Sequence, residues 1–382
     1  MDWERHFDAC LDFARRLIQT PSMPGEEAAV AALVMSELSK LGFDEVWLDA
    51  AGNVNGRIKG GEPSLAALVF NAHLDHVDPG PAELWPYPPF SAKVADRRLW
   101  GRGACDIKGP LAVQVYGMAA VLNQGHRPRR DLVFSAVVQE ETGGLGAIRW
   151  AEALDYPVEL IVIAEPSSNR LSLGHRGIIQ LWVTFQGRSA HASVPENADN
   201  PNYALAKFLT RLAERQGELS SHPHLGPSSV APTILEVDTT SANVTPAFAR
   251  VLLDFRSASE SPASLCRFLR AAAGGHEPEI ADAWGMGADI LSSEEPLFGY
   301  FTPPEHPVVA RTRNLLGGAL GGRPELIHYR FATDGRHFAA KGINVVGFSP
   351  GEEALAHTVQ ESISLAMMRD ALRATYTLAR GY

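Results

Sequence analysis

The stretch "LVFNAHLDHVDPG", Leu68 to Gly80, begins as an apolar run and ends in His73, Asp75, His76 and Asp78. Imidazoles and carboxylates at the tip of a buried strand suit a metal ion, because a strand holds its side chains at fixed geometry. Four further stretches carry the same residue types. "LWGRGACDIKGP" sets Asp106 after a glycine-rich turn and just before a helix. "LVFSAVVQEETGGLGA" ends an apolar run in Glu140 and Glu141, followed by Gly143 and Gly144. "LIVIAEPSS" ends another in Glu165, and "FSPGEEALAHTVQES" puts His357 in a loop. Each alone reads as an ordinary wet strand end or surface loop. In an open α/β sheet, however, sites form at the carboxyl ends of the strands, and all five stretches lead to that edge.

The chemistry that fits is a pair of divalent ions sharing one carboxylate. Borderline cations take imidazole and carboxylate ligands and leave a position open for water. Two-metal sites hold their ions roughly 3.5–4 Å apart, with a water or hydroxide between them. Asp106, central and short, suits the bridge. Zn²⁺ is the leading candidate, with Co²⁺ and Mn²⁺ as alternatives. Of the adjacent glutamates Glu140 and Glu141, one would bind metal and the other would move protons. Neighbouring strand residues point to opposite faces, so both can serve only where the strand breaks, and Gly143 and Gly144 supply such a break.

The elements that must position these residues follow from periodicity. Amphipathic helices are expected over 3–19 and 24–41, split by "TPSMPGEE". "LAALVF" (65–70), "LVFSAVV" (132–138) and "LIVIA" (160–164) are apolar at nearly every position, as strands covered on both faces are. Helical stretches lie between them at 108–124 and 144–154. This alternation indicates an α/β sheet with helices on both sides. From Ile178 the pattern changes to strand 178–186, helix 201–215, strands 230–237 and 248–256, helix 261–273 and a weaker strand 276–284. That is the β-α-β-β-α-β order of a ferredoxin-like unit. "HPVVARTRNLLGG", "INVVGFSPG" and a final helix from about 361 then resume the first style. The economical division is a catalytic domain in two parts, 1–176 and 288–382, interrupted by an insertion at 177–287.

Bulk properties exclude several classes. A chain of 382 residues is long for one core. The net charge of −10 argues against a nucleic-acid partner, which wants clustered Lys and Arg. Cys10, Cys105 and Cys266 form no CxxC pair and are too few for a disulfide framework. The opening "MDWERHFDACLDFARRL" carries acids where a signal peptide would be basic and apolar. No run reaches the roughly 18 apolar residues of a membrane span. The expectation is a soluble, cytoplasmic protein with no membrane partner.

The five stretches, taken in order over almost the whole chain, resemble the M20 metallopeptidases: acylases, desuccinylases, dipeptidases and the glutamate-releasing carboxypeptidase. "HLDHVDP", "WGRGACDIKG", "EETGGLGA" and "AHTVQES" resemble the metal motifs of that family, and "GRSAHAS" and "NVTP" resemble segments of its inserted lid. Ala72 stands before His73 where the family commonly has Gly. The resemblance implies a mixed-sheet, zinc-peptidase-like α/β catalytic domain with a ferredoxin-like α+β lid and dimerisation domain. It implies that His73 and Glu165 bind one metal, Glu141 and His357 the other, and that Asp106 bridges them. Glu140 would be the general base on the bridging water, and Asp75 would orient His73. A cis peptide is implied at Asp106–Ile107. His191, from the lid of the partner subunit in a homodimer, would hydrogen-bond the developing oxyanion. Asn243, Arg256 and, in "TDGRHFA", Arg336 would contact a small substrate bearing a carboxylate. The reaction expected is cleavage of the amide bond of an N-acyl amino acid or short peptide. Deacylase and dipeptidase or carboxypeptidase readings both stay open, as does a binding protein that has lost catalysis.

Overall fold

The computed structural model describes residues 2–125, 127–284, 288–297 and 299–382. The boundary expected between residues 287 and 288 falls outside that description. The chain divides into two compact units, Met1–Gly174 with Tyr300–Tyr329 and Thr333–Tyr382, and His175–Gly299 with Arg330–Ala332.

The first unit is built on an eight-stranded mixed sheet. At its centre the strand Ala67–His73 runs parallel to Leu132–Val137 on one side and to Val158–Ile163 on the other. Ala67–His73 and Leu132–Val137 are buried at every position, which explains why they are apolar at nearly every position and do not alternate. Val345–Gly347 extends the sheet in parallel beyond Val158–Ile163. Val54–Ile58 and then Glu45–Leu48 add antiparallel strands beyond Leu132–Val137. Register sets the site: His73 lies opposite Val137, and Asn71 opposite Ile163. Glu165 therefore leaves its strand level with His73, and Glu140 follows three residues beyond Val137.

The helix Gly109–Asn123 is buried on all sides from Gly109 to Val121. It packs against the final helix Leu365–Gly381, where a Cβ on Gly117 would come within 2.5 Å of Thr375. Two helix starts differ from expectation. The second helix begins at Ala28, not 24, because Gly25 has φ +87° and the Glu27 carboxylate accepts from the Gly25 amide at 3.0 Å. The last begins at Leu365, not 361, because Ser362–Ser364 pairs as a strand with Arg98–Trp100 and Ser364 caps the helix through the Met367 amide.

The second unit has the sheet order Ser229–Val237, Phe248–Ser257, Gly177–Gln186, Glu279–Asp282. Gly177–Gln186 alternates buried and part-buried residues along its length, the mark of a sheet covered on one face. Its core joins Ile179, Leu181 and Val183 to Phe208, Leu212, Leu265 and Leu269 of the helices Pro201–Arg215 and Pro262–Ala273. A short hairpin, Ser221–His222 with Gly226–Pro227, has no counterpart in the sequence reading. Among the described residues no helix is long and apolar enough to cross a membrane.

Gly117→Val places a side chain where two helices touch, and overpacking of this kind costs about 1–3 kcal/mol. The expected result is a lower urea midpoint with an unchanged m-value.

Candidate metal and catalytic site

His73 ends the central strand, and both ring nitrogens are occupied. Nδ1 lies 3.0 Å from the backbone carbonyl oxygen of Asp75 and 3.4 Å from Asp75 Oδ1. Nε2 lies 3.2 Å from Asp106 Oδ1 and 3.9 Å from Glu165 Oε1. An imidazole held at Nδ1 presents Nε2 in a fixed direction, which is how metal-binding histidines are set up. Burial opposes a charged ring here, yet the hydrogen bonds with Asp106 and Asp75 outweigh it and hold the His73 pKa well above its ordinary value.

Asp75 does more than orient His73. Its Oδ1 accepts from the Glu140 amide at 3.2 Å and its Oδ2 from the Glu141 amide at 3.0 Å. Burial works against its ionised form, but the contact with His73 and the Glu141 amide prevail and its pKa is lowered. One fully buried carboxylate thus fixes the histidine and the turn carrying both glutamates. That turn begins earlier than the glycines suggested. Gln139 already has φ +57°, and its amide donates to Glu27 at 3.1 Å. Gly143 (φ +115°) and Gly144 (φ +81°) complete it.

Asp106 follows the turn Gly101–Gly103, and its peptide to Ile107 is cis. Its carboxylate lies between the two histidines. Oδ1 faces His73 Nε2 at 3.2 Å and Oδ2 faces His357 Nε2 at 3.2 Å. His357 also donates to Glu141 Oε1 at 3.0 Å. Hydrogen bonds to Asp106 and Glu141 push the His357 pKa up to about 10, although its side chain is half exposed. Burial raises Asp106, but His357 and His73 more than reverse this and hold it well below the usual carboxylate range.

The structure therefore brings together His73, Asp75, Asp106, Glu140, Glu141, Glu165 and His357. Two subsets hold ligand atoms within 4.8 Å of one another: His73, Glu140 and Glu165, and His73, Asp106 and Glu141. The first contains Glu140, expected as the base, so this residue stands as near to His73 and Glu165 as a ligand would. Burial pushes Glu140 and Glu165 well above the ordinary range, and neighbouring carboxylates push them further. The donor set, two imidazoles among buried carboxylates whose pull for positive charge shows in both rings, fits Zn²⁺, Co²⁺ or Mn²⁺.

Arg336 lies in the same unit, on the short helix Gly335–Ala339, where its Nε donates to His337 Nε2 at 3.2 Å. His191, Asn243 and Arg256 belong to the second unit. There His191 bridges to Val244, and the Ala192 amide donates to the Asn243 carbonyl at 2.8 Å, so the two lid segments flagged in the sequence lie side by side. His191 and Asn243 are exposed, and Asp254 holds Arg256 through Nε at 2.7 Å.

One positioning residue escaped the sequence reading. Glu361, fully buried, accepts from the Cys105 amide at 3.1 Å and the Asp106 amide at 3.3 Å, and its other oxygen pairs with the buried Arg102. It fixes the loop that presents Asp106. The available signal was an acid four residues after His357, inside a stretch already singled out.

A family model described as peptidase family M20/M25/M40 matches residues 69–381. A succinyl-diaminopimelate desuccinylase of Methylococcus capsulatus is 28% identical over 378 residues, covering 96% of each chain. The fold is that of an M20 family metallo-carboxypeptidase from Sulfolobus solfataricus, at TM-score 0.77 and 18% identity over 97% of this chain and 98% of that one. It is also that of the Bacillus subtilis YXEP protein, described as a dinuclear metal binding peptidase, at TM-score 0.70 and 16% identity over 98% of both chains.

Glu361→Ala would strand the buried Arg102 and two loop amides. Loss of one partner of a buried ion pair costs about 3–5 kcal/mol, so urea unfolding of this variant is expected to show a large drop in midpoint.

Proposed function

Because the chain belongs to peptidase family M20/M25/M40, and so to a family of hydrolases, we propose that it cleaves the amide bond of an N-acyl amino acid or short peptide with two divalent metal ions. The observation that carries this reading is Asp106, one carboxylate whose two oxygens each face a different imidazole at 3.2 Å. His73 and Glu165 would hold one ion and Glu141 and His357 the other, with Asp106 shared. The name of the Methylococcus relative favours an acyl group as the part removed, and that of the Bacillus neighbour favours the dinuclear reading.

When bound, the ions would polarise the scissile carbonyl and lower the pKa of a water between them towards about 7. Glu140 is the group that moves protons. It takes one from the attacking water and delivers it to the amide nitrogen. The second water proton follows the same route, so the products are a carboxylate and an ammonium. Asp75 holds Glu140 and Glu141 in place through their amides. Arg336 would take the carboxylate beside the scissile bond with its planar fork. For Asn243, Arg256 and the partner subunit's His191 we keep the roles that their segments imply, two substrate contacts and an oxyanion donor.

The pairing of two chains is part of the proposal. The strand Ser229–Val237 is an edge of its sheet, and Ile234, Leu235 and Val237 on it are exposed at 45%, 61% and 43%. Unpaired edges with apolar side chains invite a second copy. Light scattering is expected to give twice the chain mass, and Leu235→Lys to shift it towards the monomer.

Activity is tested by amine release from N-acetyl, N-succinyl and N-carbamoyl amino acids and dipeptides. Hydrolysis is expected to vanish on chelation and return with Zn²⁺, Co²⁺ or Mn²⁺. Glu140→Gln is expected to lower kcat by about 10²–10⁴-fold, the usual worth of a general base, with both metals retained. A variant with near-normal kcat would refute the assignment.

A further inference from the structure

Asp334 has no part in the chemistry above. It is 3% exposed, and its Oδ2 makes no hydrogen bond among the described residues. Its Oδ1 lies against Gly144, where a Cβ would fall within 2.2 Å of it. Gly144 closes the turn that carries Glu140 and Glu141, its amide donating to the Gln139 carbonyl at 2.8 Å. Asp334 is near enough that its charge helps raise both Glu140 and Glu165.

A buried acceptor left without a partner costs about 1–3 kcal/mol, more when charged. The partner that relieves it must donate a hydrogen bond, and a positively charged donor makes the stronger one. Asp334 is not among the residues given a metal above. Its ion-pair contact among the described residues is with the His337 ring, at 3.8 Å from Oδ1. Arg336, two residues on, turns its Nε to that same ring. Arg336 and His73 act on Asp334 through their charge without a hydrogen bond to Oδ2, so a direct donor to that oxygen is left for the substrate to supply.

We propose that Asp334 receives the amino group of the leaving amino acid while Arg336 takes its carboxylate, a role that rests on the hydrolase reading above. An acid and an arginine two residues apart on one turn match the opposite charges of an α-amino acid. The contact is selective for the reaction's outcome. The amide nitrogen is neutral and carries one hydrogen, whereas the product nitrogen carries three and a full charge. A carboxylate waiting for it therefore binds more strongly as cleavage proceeds, which is the form of binding that accelerates a reaction.

The test is calorimetric titration of Zn²⁺-loaded protein with a panel of free L-α-amino acids and their L-2-hydroxy-acid counterparts, which keep the carboxylate and lack the amine. The wild type is expected to bind its best amino acid about tenfold or more tighter than the matching hydroxy acid, and Asp334→Asn to cut that preference below about threefold. Removing a buried charge leaves the fold intact, and a melting curve of the variant checks this. No preference in the wild type, no amino acid bound at all, or a preference surviving in Asp334→Asn would each overturn the proposal. Amine release from the acyl panel is scored separately. Hydrolysis without amino-acid preference defeats this inference alone, and preference without hydrolysis defeats the hydrolase reading alone.

Discussion

Negative charge held out of water needs positive charge or hydrogen-bond donors beside it, and this requirement organises the first unit. Asp75, Asp106, Glu165 and Asp334 are all buried at one sheet edge, with Glu140 and Glu141 partly covered next to them. Left to itself such a group would take up protons and lose its function. Asp106 is kept ionised by two imidazoles, and Asp75 by His73 and two amides. Glu140 and Glu165 are pushed towards protonation by burial and by neighbouring carboxylates, which a bound cation would oppose.

Two kinds of acid therefore coexist. Asp75, Glu27 and Glu361 accept from backbone amides, and each freezes a segment where the chain departs from regular geometry. Glu27 holds Gln139 in a left-handed conformation, Asp75 holds the Glu140–Glu141 turn, and Glu361 holds the loop of Asp106. The acids they present point their oxygens at imidazoles or at one another. Backbone amides satisfy an acid permanently, whereas a crowd of like charges keeps it reactive.

Much of this was legible in the sequence. The central strands announced themselves as runs apolar at nearly every position because both faces of a mixed sheet are covered. The polar residues just past them had to converge because parallel neighbours end at the same edge. The ferredoxin-like order of the second unit followed from where period-two and helical segments alternate. What periodicity could not show was the pairing of Arg102 with Glu361, 259 residues apart, since a buried charge far from its partner looks like a surface charge. The start of the last helix was misplaced for the same reason: Glu361 turns inward and the next three residues form a strand. Asp334 was hidden differently: it stands in "TDGRHFA", and nothing in that stretch marks its acid as buried.

The central claim is that Asp106 is shared between two ions. Its most direct test is the metal content of the protein by mass spectrometry after saturation with Zn²⁺ and removal of the excess, for the wild type and Asp106→Ala. The account predicts two ions per chain in the wild type and less than one in the variant, since the residue lost serves both positions. Two ions retained without Asp106, or a single ion in the wild type at saturation, would contradict it.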